Sequence, residues 1–263
     1  MKTKQVIDHI SQWLVGYLKQ SGQKGFVVGV SGGIDSAVTS KLVALTGYPV
    51  LCVEMPIHQN ADQVNRAGKH IESLQAEHNN VSRVSVNLSQ VFDSFINELP
   101  KVADSDEKAM SLVNSRARLR MTTLYYFAAL HGYLVAGTGN KVEDFGVGFF
   151  TKYGDGGVDI SPIADLLKTE VYTLGKNLHV IDAIMKAPPT DGLWGDDRSD
   201  EDQIGATYPE LEWAMQQKEL GKEPEDFSGR NAEVYRIYER FNSVNQHKMR
   251  PIPVCKIPSD LKA

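Results

Sequence analysis

Cysteine is nearly absent from this 263-residue chain: Cys52 lies in the apolar stretch PVLCVEM and Cys255 lies close to the end. Two such thiols provide neither a disulfide framework nor a CxxC metal site, and a reducing cytoplasm is the simplest home for them. No apolar run reaches the length of a membrane span. The N-terminal MKTKQVIDHISQWLVGYLKQ sets Ile7, Ile10, Leu14, Tyr17 and Leu18 at helical spacing, without the continuous apolar centre or small-residue cleavage site of a secretory leader. Positive charge is not in excess either. The net charge of -5 and pI near 5.8 leave no broad basic field for nucleic acid. The seven histidines include no HxxxH pair and no cysteine neighbour, which argues against zinc, and no GxSxG elbow signals a covalent nucleophile.

What is present is a series of short apolar segments. Strands are expected at 26–30, 49–54, 83–87 and 133–136, after an N-terminal helix. Asn60 and Gln63 suggest a capping box opening a helix at ADQVNRAGKHIESLQ, and DSDEKAMSLVNSRARLRMTTLYYFAALHG reads as a long helix ended by Gly132. Strands and helices alternating in this way imply βαβ units, hence an α/β fold with a doubly wound, Rossmann-like parallel sheet and helices on both faces, in a single domain. Residues 187–206, rich in Pro, Gly and Asp, are expected to form a mobile loop, followed by helices near 209–218 and 230–245. Ligands of such sheets bind beyond the carboxyl ends of the strands. Both 31–36 and 137–144 fall there.

One further absence is informative. The stretch VVGVSGGIDSAVTSKLVALTG, 27–47, places a glycine-rich turn between a strand and a helix but lacks the lysine of a Walker A loop. Gly32 and Gly33 allow backbone N–H groups to approach an anion, and the helix that follows aims its positive end at the same point. Asp35 would repel a bare phosphate, so its presence suggests a bridging Mg²⁺. Downstream, Glu143 comes to the same sheet edge; with Asp35 it makes either a Mg²⁺ site completed by phosphate oxygens or a pair of solvated acids. The letters GTG at 137–139 fail the dinucleotide fingerprint at its third glycine, and no clean helix is expected after them. On the long helix Asn114 and Arg118 share a face, Arg116 and Arg120 another; either could be a solvated basic face.

The loop SGGIDS resembles the ATP loop of the pyrophosphatase-type superfamily (adenine nucleotide alpha hydrolase-like), whose members transfer AMP and release pyrophosphate. Together with GFFTKYGDGG, APPTDGLW and HKMRPIP in that order, it is similar to the NAD synthetase family over 26 to about 253. The resemblance implies that Gly29, Val30, Ser31, Gly32, Gly33, Ile34, Asp35 and Ser36 cradle the ATP phosphates, that Thr138, Lys168 and Thr190 contact ATP, and that Asp35 and Glu143 bind Mg²⁺. Asp35 and Lys168 would be the catalytic pair. Asn114, Arg118, Lys152, Asp159, His247 and Lys248 would hold deamido-NAD, so the Asn114 and Arg118 face becomes a site. Some relatives carry GTDH where this chain has GTGN, which leaves Asp144 as the alternative metal-facing acid. Glutamine-using members add a glutaminase domain, for which this chain leaves no room before residue 26. The implied form is therefore the short, ammonia-dependent one, a homodimer with the deamido-NAD site near its interface.

Such an enzyme would let the nicotinate carboxylate attack the α-phosphate of ATP, expel pyrophosphate, and pass the acyl-adenylate to ammonia with loss of AMP. Two other readings remain: a tRNA-modifying adenylating enzyme, disfavoured by the acidic pI, and a nucleotide-binding sensor without turnover.

Overall fold

The computed structural model describes residues 1–190 and 199–262. Four parallel strands, β1 (Gly25–Gly29), β2 (Val50–Glu54), β3 (Val81–Ser85) and β4 (Tyr133–Val135), form one sheet in the order β3-β2-β1-β4. The chain steps outward from β1 to β3 and then returns to place β4 on the other side of β1, with Phe26 opposite both Val50 and Leu134. The crevice of a doubly wound sheet opens where the strand order reverses, here between β1 and β4.

Alternation along the strands divides the core between the two faces of the sheet. Phe26, Val28, Val50 and Cys52 pack with α1 (Thr3–Ser21), α2 (Ile34–Ala44), α3 (Ala61–Glu77) and α6 (Lys168–Asn177). Val27, Leu51 and Val53 pack on the other face, with α4 (Ser89–Glu98) and α5 (Asp106–His131). α2 is buried on nearly every side, which explains its apolar rather than amphipathic pattern. Its Lys41, 2% exposed, reaches Glu77 at 2.7 Å.

A second cluster joins the π-helical turn Val142–Val147 to α8 (Asp200–Ile204), α9 (Tyr208–Glu219) and α10 (Gly229–Val244). Asn242 and Asn245 donate to the carbonyls of Gly146 and Val147 at 2.7 and 2.8 Å, fastening α10 to that turn.

Several expectations need correction. Asn60 does cap α3, through the Asp62 N–H at 2.9 Å, but Gln63 is buried instead of reaching back. A helical turn does follow 137–139: the π turn that carries Glu143. The expected loop 187–206 is partly ordered, since Ser199 caps α8 and Ile204 and Ala206 enter the second cluster. Its central part, 191–198, lies outside the described residues. α4, α6 and α7 (Asp182–Met185) were not anticipated.

Candidate active site

The turn after β1 folds back on itself. The Ser36 hydroxyl donates to the Gly33 carbonyl at 3.1 Å and accepts from the Ser31 N–H at 3.2 Å, while the Gly33 N–H reaches the Ser31 hydroxyl at 3.2 Å. Gly32 has φ 84°, a conformation closed to most side chains, and a Cβ there would strike the Gln63 carbonyl oxygen of α3 at 2.7 Å. The turn leads straight into α2, so the first N–H groups of that helix and its positive dipole end open beside it.

Asp35, on the first turn of α2, meets two groups from the far side of the crevice. Lys168 donates to it at 2.6 Å and to Glu143 at 3.0 Å. The two acids are therefore not a solvated pair. Lys168 is 3% exposed at the first position of α6, where a cation opposes the helix dipole. Burial would lower its pKa, but Asp35 and Glu143 outweigh that and hold the ammonium well above the ordinary lysine value. Burial raises Asp35 in spite of Lys168, with Glu143 adding to the shift. Glu212 of α9 fixes the start of α6 by accepting from the Thr169 N–H and hydroxyl at 2.9 and 2.7 Å. Asp144 and Asp155 complete an acidic surround: burial, then Glu143, push Asp144 up to about 8, and burial brings Asp155 to about 6 against hydrogen bonds from backbone N–H groups.

Two side chains not anticipated from the sequence hold this centre. Asn140, fully buried, accepts from the Val142 and Glu143 N–H groups at 3.1 and 3.2 Å, which fixes its amide so that the NH₂ donates to Asp35 at 3.1 Å. One residue thus orients both Asp35 and the turn bearing Glu143. Tyr208 donates its hydroxyl to Glu143 at 2.6 Å, and its ring lies 4.5 Å from the Lys168 ammonium. An amide after GTG was the only available sequence signal for Asn140; Tyr208 gave none.

Two cavities meet here. One, of about 250 Å³, runs along the carboxyl ends of β1, β2 and β4 with Val53, Met55, Leu124 and Ala136 on its apolar wall. The other, of about 140 Å³, contains Asp35, Glu143 and Lys168. Ser31, Thr138, Asp155 and Thr190 line both, which places the two expected threonines at the junction. Gly29, Val30 and Ser31 line the larger cavity, and Gly33, Ile34 and Ser36 the smaller. Arg120 braces the larger cavity's rim by donating to the Met55 carbonyl at 3.0 Å and the Gln59 side-chain oxygen at 2.7 Å.

The remaining expected residues line neither cavity. Five are linked in one patch along α5, the 148–155 segment and α11 (Gln246–Met249). Asn114 accepts from the Thr151 hydroxyl at 2.6 Å, Arg118 donates to the Lys152 carbonyl at 3.3 Å, Lys152 donates to the His247 carbonyl, and Lys248 donates to the Gly148 and Phe150 carbonyls at 3.0 and 2.9 Å. Asp159 meets α5 two turns beyond Arg118, accepting from the Tyr125 hydroxyl and, beside β4, from the Val135 N–H at 2.9 and 2.8 Å.

Known proteins resemble this chain over nearly its whole length. A family model described as NAD synthase matches residues 6–252. The NH(3)-dependent NAD(+) synthetase of Carboxydothermus hydrogenoformans is 35% identical, covering 95% of this chain and 94% of that protein, and that of Alkaliphilus metalliredigens is 36% identical, covering 96% and 99%. A solved structure described as NMN synthetase from Francisella tularensis superposes with a TM-score of 0.84 at 29% identity, over 98% of this chain and all of that one.

Proposed function

Because the chain belongs to the NAD synthase family, we propose that it uses ATP to amidate deamido-NAD with ammonia, with Asp35 and Lys168 as its adenylating centre. The observation that carries this reading is the buried Lys168 ammonium bridging Asp35 and Glu143 at the junction of two cavities. The nucleoside of ATP belongs in the larger, apolar cavity. The triphosphate then crosses the Ser31, Thr138 and Thr190 junction onto the N–H groups of the turn.

A carboxylate resists ammonia because its carbonyl is electron-rich and oxide is a poor leaving group. Attack of a nicotinate oxygen on the α-phosphorus breaks the α–β bond, and charge accumulates on the departing pyrophosphate. The turn's N–H groups, the α2 dipole and Lys168 are preorganised where that charge grows. Ammonia then adds to the acyl carbon and AMP leaves with the carboxylate oxygen.

Asp35 and Glu143 offer oxygen donors only and already converge on one cation, Lys168, so they suit a hard divalent ion. Among the described residues no three His, Cys, Asp or Glu cluster as a metal site. Mg²⁺ would therefore be held by these two carboxylates together with phosphate and water, and when bound it neutralises triphosphate charge.

Arg118, Lys152, His247 and Lys248 form the proposed dinucleotide surface. Apolar groups left exposed on α4 and α5, including Val91, Phe95, Met110, Tyr126 and Leu130, support a homodimer. Two free thiols suit the cytoplasm, and among the described residues no helix is long and apolar enough to cross a membrane. The second cluster is tied through Glu212 to Thr169 of α6, a helix that packs in the cluster on one face of the sheet, which supports a single catalytic unit.

The likeness to an NMN synthetase favours a second reading, in which the carboxylate is carried on nicotinate mononucleotide. Three cations in the patch exceed what a single phosphate needs and favour the dinucleotide. Rates with ammonium and each substrate decide: kcat/KM at least about tenfold higher for deamido-NAD is expected, and the reverse preference would establish the mononucleotide.

A further inference from the structure

Glu143 is held by two donors, and both reach the same oxygen. The Lys168 ammonium donates to its Oε1 at 3.0 Å and the Tyr208 hydroxyl at 2.6 Å. Asp35 accepts at both of its oxygens, from Asn140 and from Lys168. Among the described residues, Glu143 Oε2 is the one of these four oxygens that accepts no hydrogen bond. We propose that Tyr208 is a positioning residue of this centre, whose hydroxyl pins one oxygen of Glu143 so that the other stays free for the divalent ion that accompanies ATP. This rests on the adenylating reading above.

Lys168 alone would not impose that order. A glutamate carboxylate turns easily about its last torsion, and an ammonium is a compact charge with three rotatable donors that serves either oxygen equally well. A second donor, rigidly mounted, removes the freedom. Tyr208 meets that requirement: it opens α9 behind the Thr207 capping box, its N–H donates to Glu201 at 2.8 Å, and its side chain is buried in the second cluster. It lines neither cavity, whereas Asp35, Glu143 and Lys168 all line the smaller one, so its influence passes through Glu143 and not through a contact with the ligand.

The same hydroxyl stands 3.2 Å from Asp200, the first residue of α8. A phenol has one proton to give, and the shorter contact, to Glu143, takes it. Asn140 and Tyr208 therefore divide the task, the amide fixing the main chain of the turn and the hydroxyl fixing the carboxylate that the turn carries. Tyr235, a buried tyrosine of the same cluster, gives its hydroxyl to the Lys222 carbonyl instead.

That contrast supplies the control. Binding of Mn²⁺, a paramagnetic substitute for Mg²⁺, is followed by electron paramagnetic resonance on the whole chain with inorganic pyrophosphate. Wild type is compared with Tyr208→Phe, which keeps the ring beside Lys168, with Tyr235→Phe, with Glu143→Gln, and with Tyr208→Phe combined with Glu143→Gln. The expected result is Mn²⁺ affinity weakened by about tenfold in Tyr208→Phe, the scale of a lost outer-shell partner, and within about twofold of wild type in Tyr235→Phe. Adding Tyr208→Phe to Glu143→Gln should weaken binding no further. Unchanged affinity in Tyr208→Phe would overturn the proposal, as would equal weakening in Tyr235→Phe, which marks general loosening of the cluster. A Tyr208→Phe effect that persists in full beside Glu143→Gln would overturn it too, because the hydroxyl would not be acting through Glu143. If Tyr208→Phe does not fold, Tyr208→Met carries the same comparison. Wild type that binds no Mn²⁺ with pyrophosphate would overturn the adenylating reading as well.

Discussion

The acidic centre and the α5–α11 patch handle charge in opposite ways. In the centre, Lys168 is buried and its bonds go to carboxylates, so charge meets charge. In the patch, Arg118, Lys152 and Lys248 donate to backbone carbonyls, which satisfies their hydrogen bonds without cancelling their charge. The first arrangement fixes the ammonium against its two acids; the second leaves positive potential uncancelled at the surface. Burial lowers the Lys248 pKa, with Asp155 opposing that shift.

The largest expected effect comes from removing the counter-charge of the centre. Lys168→Met should lower kcat/KM by about 10³-fold, the scale of a lost preorganised charge at a reacting group. It should also destabilise the fold by about 3–5 kcal/mol at pH 8, because Asp35 and Glu143 are left facing each other without a cation. That penalty should shrink toward pH 5: Asp35, already raised by burial, would rise further without Lys168, so this stability is present at low pH and lost as pH increases. Chemical denaturation at both pH values checks this, and equal penalties would break the distinction between the two regions.

The patch should respond more mildly. Arg118→Ala is expected to raise KM for the dinucleotide by about tenfold with kcat nearly unchanged, and the difference should diminish at high salt, since exposed charges are screened. A kcat loss as large as that of Lys168→Met would show that the patch belongs to the chemistry.

A buried but uncharged pair should act on stability alone and leave the reaction untouched. His70 and the Ser40 hydroxyl lie 2.9 Å apart in the core, and burial, with Lys41 adding to it, holds the His70 pKa down at about 4. Its neutral form is favoured by folding, so stability is full above about pH 6.5 and is lost as pH falls toward 4, by up to about 3 kcal/mol. His70→Gln should flatten that slope. Identical slopes in both proteins would place the acid sensitivity elsewhere.

β1 was legible because burial on both faces leaves an uninterrupted apolar run, Phe26 to Val28, while β3, mostly exposed, keeps only Val81 and Val84 of that signal; the strand ends shifted by no more than two residues. The turn between β1 and α2 was legible from its glycines. Asp35, Glu143 and Lys168 were each nameable, yet their union at one ammonium depends on β4 returning beside β1, which no local pattern encodes. Asn140 escaped because its role is to orient two other residues. Tyr208 escaped because a buried tyrosine in a capped helix looks like core until its hydroxyl is seen on Glu143. α4 was missed for want of a capping side chain at Leu88, and α8 because acidic and glycine-rich letters masked a short helix secured by Ser199.

The central claim is that Asp35, in place of a phosphate-loop lysine, belongs to a site that cleaves ATP between its α- and β-phosphates. Phosphorus-31 NMR of the purified chain with ATP, Mg²⁺, ammonium and deamido-NAD tests it directly. The account predicts AMP and pyrophosphate appearing in step with NAD, and loss of both products in Asp35→Asn with the fold intact. ADP and inorganic phosphate as the primary products would contradict it.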